Sequence, residues 1–325
     1  MALEGTLKYD PDMSKSSASV TSGAAPTSKA SPAVARPGGD RSEQRMAFVL
    51  LLPALLLVIV FRIFPLGWGA VLSFLGVTPS GAVGFVGVSN YVALAHDPSF
   101  RDSMVNTLIL LATLPIWVML PMVLAILIHQ GVPGGKVFRA VYFFPAVLSS
   151  VIIGSIFNVV LRYDGNLNAM LDTFGIDAVD WLGNGSTALM SLIGVQMWST
   201  FGMGVLIFMA GLSTVPDEMI EAARLDGANF WQTWIYIIIP TLRPIIEFVA
   251  VVTTVGVLTS MFGLIYVLTD GGPGTSTTLP EFLIWIEQGK MNRPSYAAAI
   301  SVVLFALMGG IAWLQIRIMT RNANL

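Results

Sequence analysis

The sequence predicts an all-α, polytopic membrane protein with six transmembrane helices, and two observations carry that prediction. Charged residues make up 11% of the 325 positions and apolar ones 55%, where soluble globular chains hold about 25% charged residues. With a mean hydropathy of +0.76, the chain cannot cover its own surface with polar groups and needs lipid as solvent. Six stretches, approximately 46–75, 103–129, 139–161, 185–212, 241–268 and 295–317, reach the roughly 20 residues a helix needs to cross about 30 Å of hydrocarbon.

The same composition excludes other classes. A soluble enzyme, a disordered chain and a secreted disulfide scaffold all conflict with it. With no cysteine and only His96 and His129, a thiolate metal site or redox dithiol is impossible and a zinc site has no ligand set, so no metal and no cofactor is expected. The formal charge of −2 and scattered basic residues leave no polycationic surface, which argues against nucleic acid as a partner.

Residues 1–40 are rich in Ser, Ala, Pro, Gly and Thr, too polar to offset chain entropy by burial, and read as a disordered tail ahead of a membrane domain over 41–325. Met13, followed by Ser-Lys-Ser-Ser, has the form of a second start and leaves residues 1–12 as an extension. The first stretch contains Pro53 and Pro65 and the second Pro115 and Pro121, which in lipid imply kinks repaired by neighbours. Gly202, Gly204, Gly309 and Gly310 are positions where helices can approach closely. Arg41, Arg45, Lys136, Arg139, Arg224, Arg243, Arg317 and Arg321 flank one side of the spans; Arg101, Arg162, Lys290 and Arg293 flank the other. Eight against four places the first set, and with it both termini, in the cytoplasm. Arg62 reads as a snorkelling residue near the outer end of the first span.

The connection between the fourth and fifth spans, 213–240, differs from the rest. It reads as two short helices hinged at Gly227, where a positive φ is cheap only for glycine. Thr214 and Asp217 have capping-box spacing, with Pro216 in the first turn. Met219, Ile220, Ala222, Ala223 and Leu225 form an apolar side beside Glu218, Glu221 and Arg224, and Phe230, Trp231 and Trp234 suit the headgroup level. A helix lying on the inner leaflet would favour basic residues; Asp217, Glu218, Glu221 and Asp226 against one arginine suit a protein partner instead.

Glu221-Ala222-Ala223, three residues, Gly227, nine residues, Ile237, one residue and Ile239-Pro240 resemble the "EAA" signature of membrane subunits of bacterial ABC importers. Phe85-Val-Gly-Val-Ser-Asn-Tyr91, Arg139-Ala-Val-Tyr-Phe-Phe-Pro145 and Thr269-Asp-Gly-Gly-Pro-Gly-Thr275 resemble the binding-protein-dependent sugar branch, of the maltose/glycerol-3-phosphate type, with Asp270 where glycine is commoner. The resemblance implies the type I permease fold and a multi-pass subunit of the bacterial inner membrane. It also implies a second permease subunit, two ATPase subunits that bind ATP and Mg, and an external binding protein. The helix of residues 216–226 would be the cytoplasmic coupling helix, with Glu221, Ala222, Ala223, Arg224, Asp226, Gly227 and Pro240 as the ATPase-coupling residues, Glu221 the polar anchor and Gly227 the hinge. The chain itself is expected to be no enzyme: Gly131-Val-Pro-Gly-Gly-Lys136 lacks the spacing and the Ser or Thr of a phosphate loop.

Polar groups within the spans, Asn158, Gln196, Thr253, Thr254, Thr259 and Ser260, are either the lining of a path for a hydroxyl-rich ligand or interhelical glue. Asn158, Gln196, Thr253, Thr254 and Ser260, with Trp198 to cover a sugar face, are the candidate path. No basic cluster accompanies them, which favours a neutral mono- or oligosaccharide; the resemblance also admits a glycerophosphodiester. Glu247 reads as the i+4 partner of Arg243, and Met203, Met209 and Met261 as packing residues. A secondary transporter is the alternative function, against which the chain shows no evident inverted repeat.

The absence of native cysteine makes the topology directly testable. In intact cells an impermeant thiol reagent should label Ser186→Cys and leave Ser213→Cys untouched; external labelling of the latter would reverse the orientation.

Overall fold

A computed structural model describes residues 41–77, 83–129 and 135–323. The expected tail over 1–40 and the phosphate-loop-like turn at 131–134 lie outside the described residues. The chain divides into two units between Leu56 and Leu57. Of the first, residues 41–56 are described, and they are helical, within the helix Arg41–Val58; apart from the first span, the elements discussed below belong to the second.

Among the described residues four helices are long and apolar enough to cross a membrane: Phe48–Leu72, Pro98–His129, Gly185–Leu212 and Pro294–Arg321. Two bent pairs bring the count to six, so the six-span expectation holds while two of the spans are not single helices. The third stretch, expected as one helix, is a pair, Val141–Val147 and Ser150–Val160, set at 114°. Pro145 removes a backbone donor ahead of the bend, and Ser149 restarts the chain by accepting from the Val151 N–H. The fifth stretch begins as Phe230–Thr241, turns by 67° into Arg243–Thr259, and breaks again at Ser260 before Phe262–Leu268.

Two of the four expected proline kinks coincide with a departure from regular helix, while Pro53 and Pro121 lie within the helices Arg41–Val58 and Leu114–His129. A π turn, Ile59–Ile63, lies just ahead of Pro65, where the ring displaces the carbonyl four residues back. Pro115 follows a break at Thr113, whose hydroxyl donates to the Leu110 carbonyl and accepts from Trp117 Nε1. Two three-residue strands, Leu75–Val77 and Val83–Phe85, pair antiparallel in an otherwise helical protein. The motif that follows them fastens this hairpin: Asn90 donates to the carbonyls of Ser73 and Leu75 at 2.8 Å each.

The fourth span, Gly185–Leu212, runs through the middle of the second unit and contributes to both large apolar clusters. One gathers Leu192, Ile193, Leu264, Ile265 and Phe282; the other gathers Val205, Phe208, Leu212, Trp234 and Leu242. A Cβ on Gly202 would lie 2.0 Å from the Tyr142 carbonyl oxygen, and one on Gly204 would press on Pro121, so the bent third span and the second approach the fourth as foreseen. The same expectation fails at Gly309 and Gly310, whose Cβ positions meet nothing within 4 Å.

At the far end of the fifth span the segment 269–280 folds into a closed loop. Asp270 has φ +47° and Gly271 φ +85°, so the position where glycine is commoner is a left-handed one, and aspartate is among the few residues that tolerate it. Thr277 and Thr278 donate to the carbonyls of Gly272 and Gly271. Buried Asn106 of the second span donates to the carbonyls of Thr275 and Thr278. Nearby, Tyr296 donates to Asp97 at 2.7 Å, tying the start of the sixth span to that of the second, and Arg293 pairs with buried Glu287 of the preceding turn.

Gly202→Val should displace the third span, at a cost of about 1–3 kcal/mol for overpacking. A thermal-shift measurement on the purified complex checks it, with Gly309→Ala expected to leave the midpoint unchanged.

Candidate functional site

The loop between the fourth and fifth spans forms the two short helices expected. The first is Asp217–Leu225. Its start corrects the sequence reading: Pro216 is the N-cap, with no side-chain cap bond, and Thr214 donates instead to the Gly211 carbonyl. The capping box lies one helix later, where Asn229 and Gln232 exchange side-chain and backbone bonds of 2.8 and 2.9 Å at the start of Phe230–Thr233.

Between the two, the chain reverses through Gly227 at φ +82°. The Ala228 N–H donates to the Ala223 carbonyl and the Gly227 N–H to the Arg224 carbonyl, a paired closure that satisfies the carbonyls of the last turn. A Cβ at Gly227 would meet nothing within 4 Å, so the requirement for glycine there is purely conformational. Pro240 follows a π turn, Trp234–Ile238, which accommodates the carbonyl its ring would otherwise strike.

The apolar side drawn from the sequence divides in space. Ala223 is buried and Ile220 half-buried. Asp217, Ile220, Glu221 and Arg224 line a recess of about 530 Å³ with His129 and Trp234. Met219, Ala222 and Leu225 face the other way, Leu225 at 90% exposure. Behind the loop, the predicted pair forms: Arg243 Nε donates to Glu247 at 3.0 Å.

A second feature lies within the bundle, a cavity of about 310 Å³ between the second, third, fourth and fifth spans. Gln196, Thr253 and Ser260 line it, as does Met203. Gln196 is 6% exposed, and its backbone carbonyl accepts from the Ser199 and Thr200 hydroxyls one turn on. The other path candidates lie elsewhere. Asn158 donates to the Leu268 carbonyl at 3.2 Å, bracing the bent third span against the last turn of the fifth. Trp198 packs edge-on against Phe157, in a different hollow. Thr254 accepts from Gln315 at 2.8 Å and so joins the fifth span to the sixth. Met209 takes a contact from the Tyr142 hydroxyl, and Met261 is fully buried.

The cavity also holds Trp117, Ser199 and Thr200, which the sequence reading did not include. The signal for two of them existed: positions three and four after Gln196 share its helix face. Trp117 had none, because its orientation depends on the Thr113 break.

Known proteins resemble the chain along most of its length. Residues 86–314 match the family model "Binding-protein-dependent transport system inner membrane component". The multiple sugar-binding transport system permease protein of Streptococcus mutans is 34% identical over 83% of this chain and 94% of its own. The arabinooligosaccharides transport system permease protein of Bacillus subtilis is 31% identical over 88% and 94%. A subunit of a bacterial ABC transporter for the acidic polysaccharide alginate has the same fold, with a TM-score of 0.77 at 22% identity, covering 86% of this chain and 96% of that one; it is also solved with an alginate pentasaccharide-bound periplasmic protein.

Gly227→Val should cost about 1–2 kcal/mol, the penalty of a left-handed β-branched residue. Hydrogen exchange across 213–233 should accelerate while the spans stay protected, and Gly227→Asn should restore most of the protection.

Proposed function

The chain belongs to the binding-protein-dependent transport system inner membrane components, and from that membership we propose that it is the permease subunit of an ATP-driven importer for a neutral mono- or oligosaccharide. Its partners in this reading are a second permease subunit, two ATPase subunits beneath the membrane and an external binding protein. The names of the relatives, which include sugar and oligosaccharide transport systems, support carbohydrate as the cargo class. The excess of Lys and Arg on one set of flanks supports cytoplasmic termini and a cytoplasmic loop 213–240.

The observation that carries the substrate reading is the cavity wall. Gln196, Ser199, Thr200, Thr253 and Ser260 offer amide and hydroxyl groups beside the face-bearing Trp117, and among the described residues no ionisable side chain lines it. A phosphate or carboxylate would be left there without a compensating cation, whereas hydroxyls match amides and hydroxyls. The volume of about 310 Å³ lies at the lower end of ligand pockets, about 300–1,000 Å³, and suits one or two rings at a time.

Coupling in this reading runs through the helix Asp217–Leu225. Its exposed strip of Met219, Ala222 and Leu225 would enter an ATPase cleft, while Glu221, Arg224 and Asp226 supply the polar contacts. Gly227 and the capped turn at Asn229 make the connection to the fifth span short and stiff. A stiff connector passes displacement on rather than absorbing it. With Pro240 and Leu242 at the elbow, movement of the loop would reach Arg243–Thr259, the helix that carries Thr253 to the cavity.

Uptake by the reconstituted complex with its own binding protein tests the substrate class: maltose- or trehalose-like sugars should be preferred over glycerophosphodiesters and acidic oligosaccharides. Preference for a charged ligand would overturn the neutral path. Gln196→Leu should lower uptake by roughly tenfold or more, since an unmet ligand hydroxyl costs about 1–3 kcal/mol, with assembly intact. Asn158→Leu should instead lower the thermal midpoint.

A further inference from the structure

We propose that Glu281 is a positioning residue for the cavity: its carboxyl, brought from the short helix after the fifth span, holds that span's second break in place and with it the wall that Ser260 contributes. The inference rests on reading the cavity as the path. It concerns a residue in none of the motifs above.

The break has a defined geometry. Helix Arg243–Thr259 ends as the Ser260 N–H donates back to the Gly256 carbonyl, and Phe262–Leu268 restarts with Met261 at its head. A restart inside an apolar bundle leaves backbone donors without partners, and no water is at hand to take them. Glu281 supplies the acceptor: its Oε1 receives the Met261 N–H at 2.8 Å, with the Phe262 N–H near the same carboxyl. Met261 itself is fully buried, so its amide has no alternative acceptor in solvent. Ser260, the residue before it, lines the cavity together with Gly256 and Val257. The carboxyl therefore acts on the end of the path-lining helix through the Met261 amide, one residue beyond Ser260.

Among the described residues Glu281 has no cationic partner. The charged groups on the elements packed around Pro280–Trp285 are committed elsewhere: Arg101 with Asp102, Lys290 with Asp270, and Arg293 with Glu287. Asp97 accepts from Tyr296, and His96 is bonded to the Val92 carbonyl. Burial without a counter-charge pushes the Glu281 carboxyl from 4.5 up to about 7, against the lowering effect of the two amides. The sign follows: the proton-bound carboxyl is the form this packing favours, its contribution is complete below the ordinary value of 4.5 and is lost as pH rises through about 7. The neutral acid still presents a carbonyl oxygen to the amides, and so would glutamine.

The test uses the assembled complex in nanodiscs and needs no substrate. A bimane fluorophore on Ser260→Cys, the sole cysteine, reports the wall. Its emission should shift with a midpoint near pH 7 when Glu281 is present. In Glu281→Gln it should stay at the acid-side value throughout, and in Glu281→Leu it should sit at a different, pH-independent value. Hydrogen exchange in peptides covering 258–265 should be about tenfold faster in Glu281→Leu than in Glu281→Gln, as expected for a lost amide bond. Emission that is the same and flat in all three, or equal exchange in both variants, would overturn the proposal. Failure of the path reading shows separately, as unchanged uptake by Gln196→Leu.

Discussion

Every backbone N–H and C=O in an apolar bundle must find a partner within the protein, and the way this chain meets that demand shapes everything else in it. Continuous helices meet it by themselves. The spans that matter most here are not continuous: they break at Thr113, at Leu148–Ser149, at Leu242 and at Ser260. At three of these a side chain repairs the gap. Thr113 bonds Leu110 and Trp117, Ser149 accepts from Val151, and Glu281 accepts from Met261. The loop 269–280 follows the same rule on a larger scale, with Asn106 of the second span supplying donors to two of its carbonyls.

The breaks are also what makes a cavity possible. Straight spans would pack side by side along their length, whereas the 114° bend of the third and the two turns of the fifth draw backbone aside next to the fourth. Gly202 and Gly204 then let the neighbouring spans close over that face at the height of Gln196, Ser199 and Thr200. The Gln196 side chain is thereby held at the cavity wall beside the Ser199 and Thr200 hydroxyls, which themselves donate to the Gln196 carbonyl. In the proposed reading the fifth span links the two features, since it starts from the loop with Asp217–Leu225 and ends at the break beside the cavity.

Much of this was legible in the residues. The fourth span matches its predicted bounds of 185–212 because nothing in it competes with helix: it has no proline and begins at a clear cap, Asn184. Gly227 and the Arg243–Glu247 pair were legible because both depend on neighbours within a turn or two. Thr214 and Asp217 misled for the opposite reason. Their spacing allowed a cap, but Pro216 adopts an extended ψ of 131° that begins the helix two residues later, and spacing alone cannot register that.

Composition and apolar run length by themselves determined that the chain is a six-span membrane protein, because hydrocarbon thickness acts on segments one at a time. Local pattern likewise determined the hinge glycine and the two short helices around it, whose hydrogen bonds close within six residues. Which polar groups face one another was decided only in the tertiary structure. Asn158, Trp198 and Thr254 resemble Gln196, Thr253 and Ser260 as polar or aromatic positions in spans, yet the former three brace helices and the latter three share a cavity. The difference lies in the bends of the third and fifth spans, which rotate one face toward the bundle centre and another toward a neighbour. The break at Ser260 depends on a partner as distant in sequence as Glu281 is from Met261, a separation that no local pattern encodes.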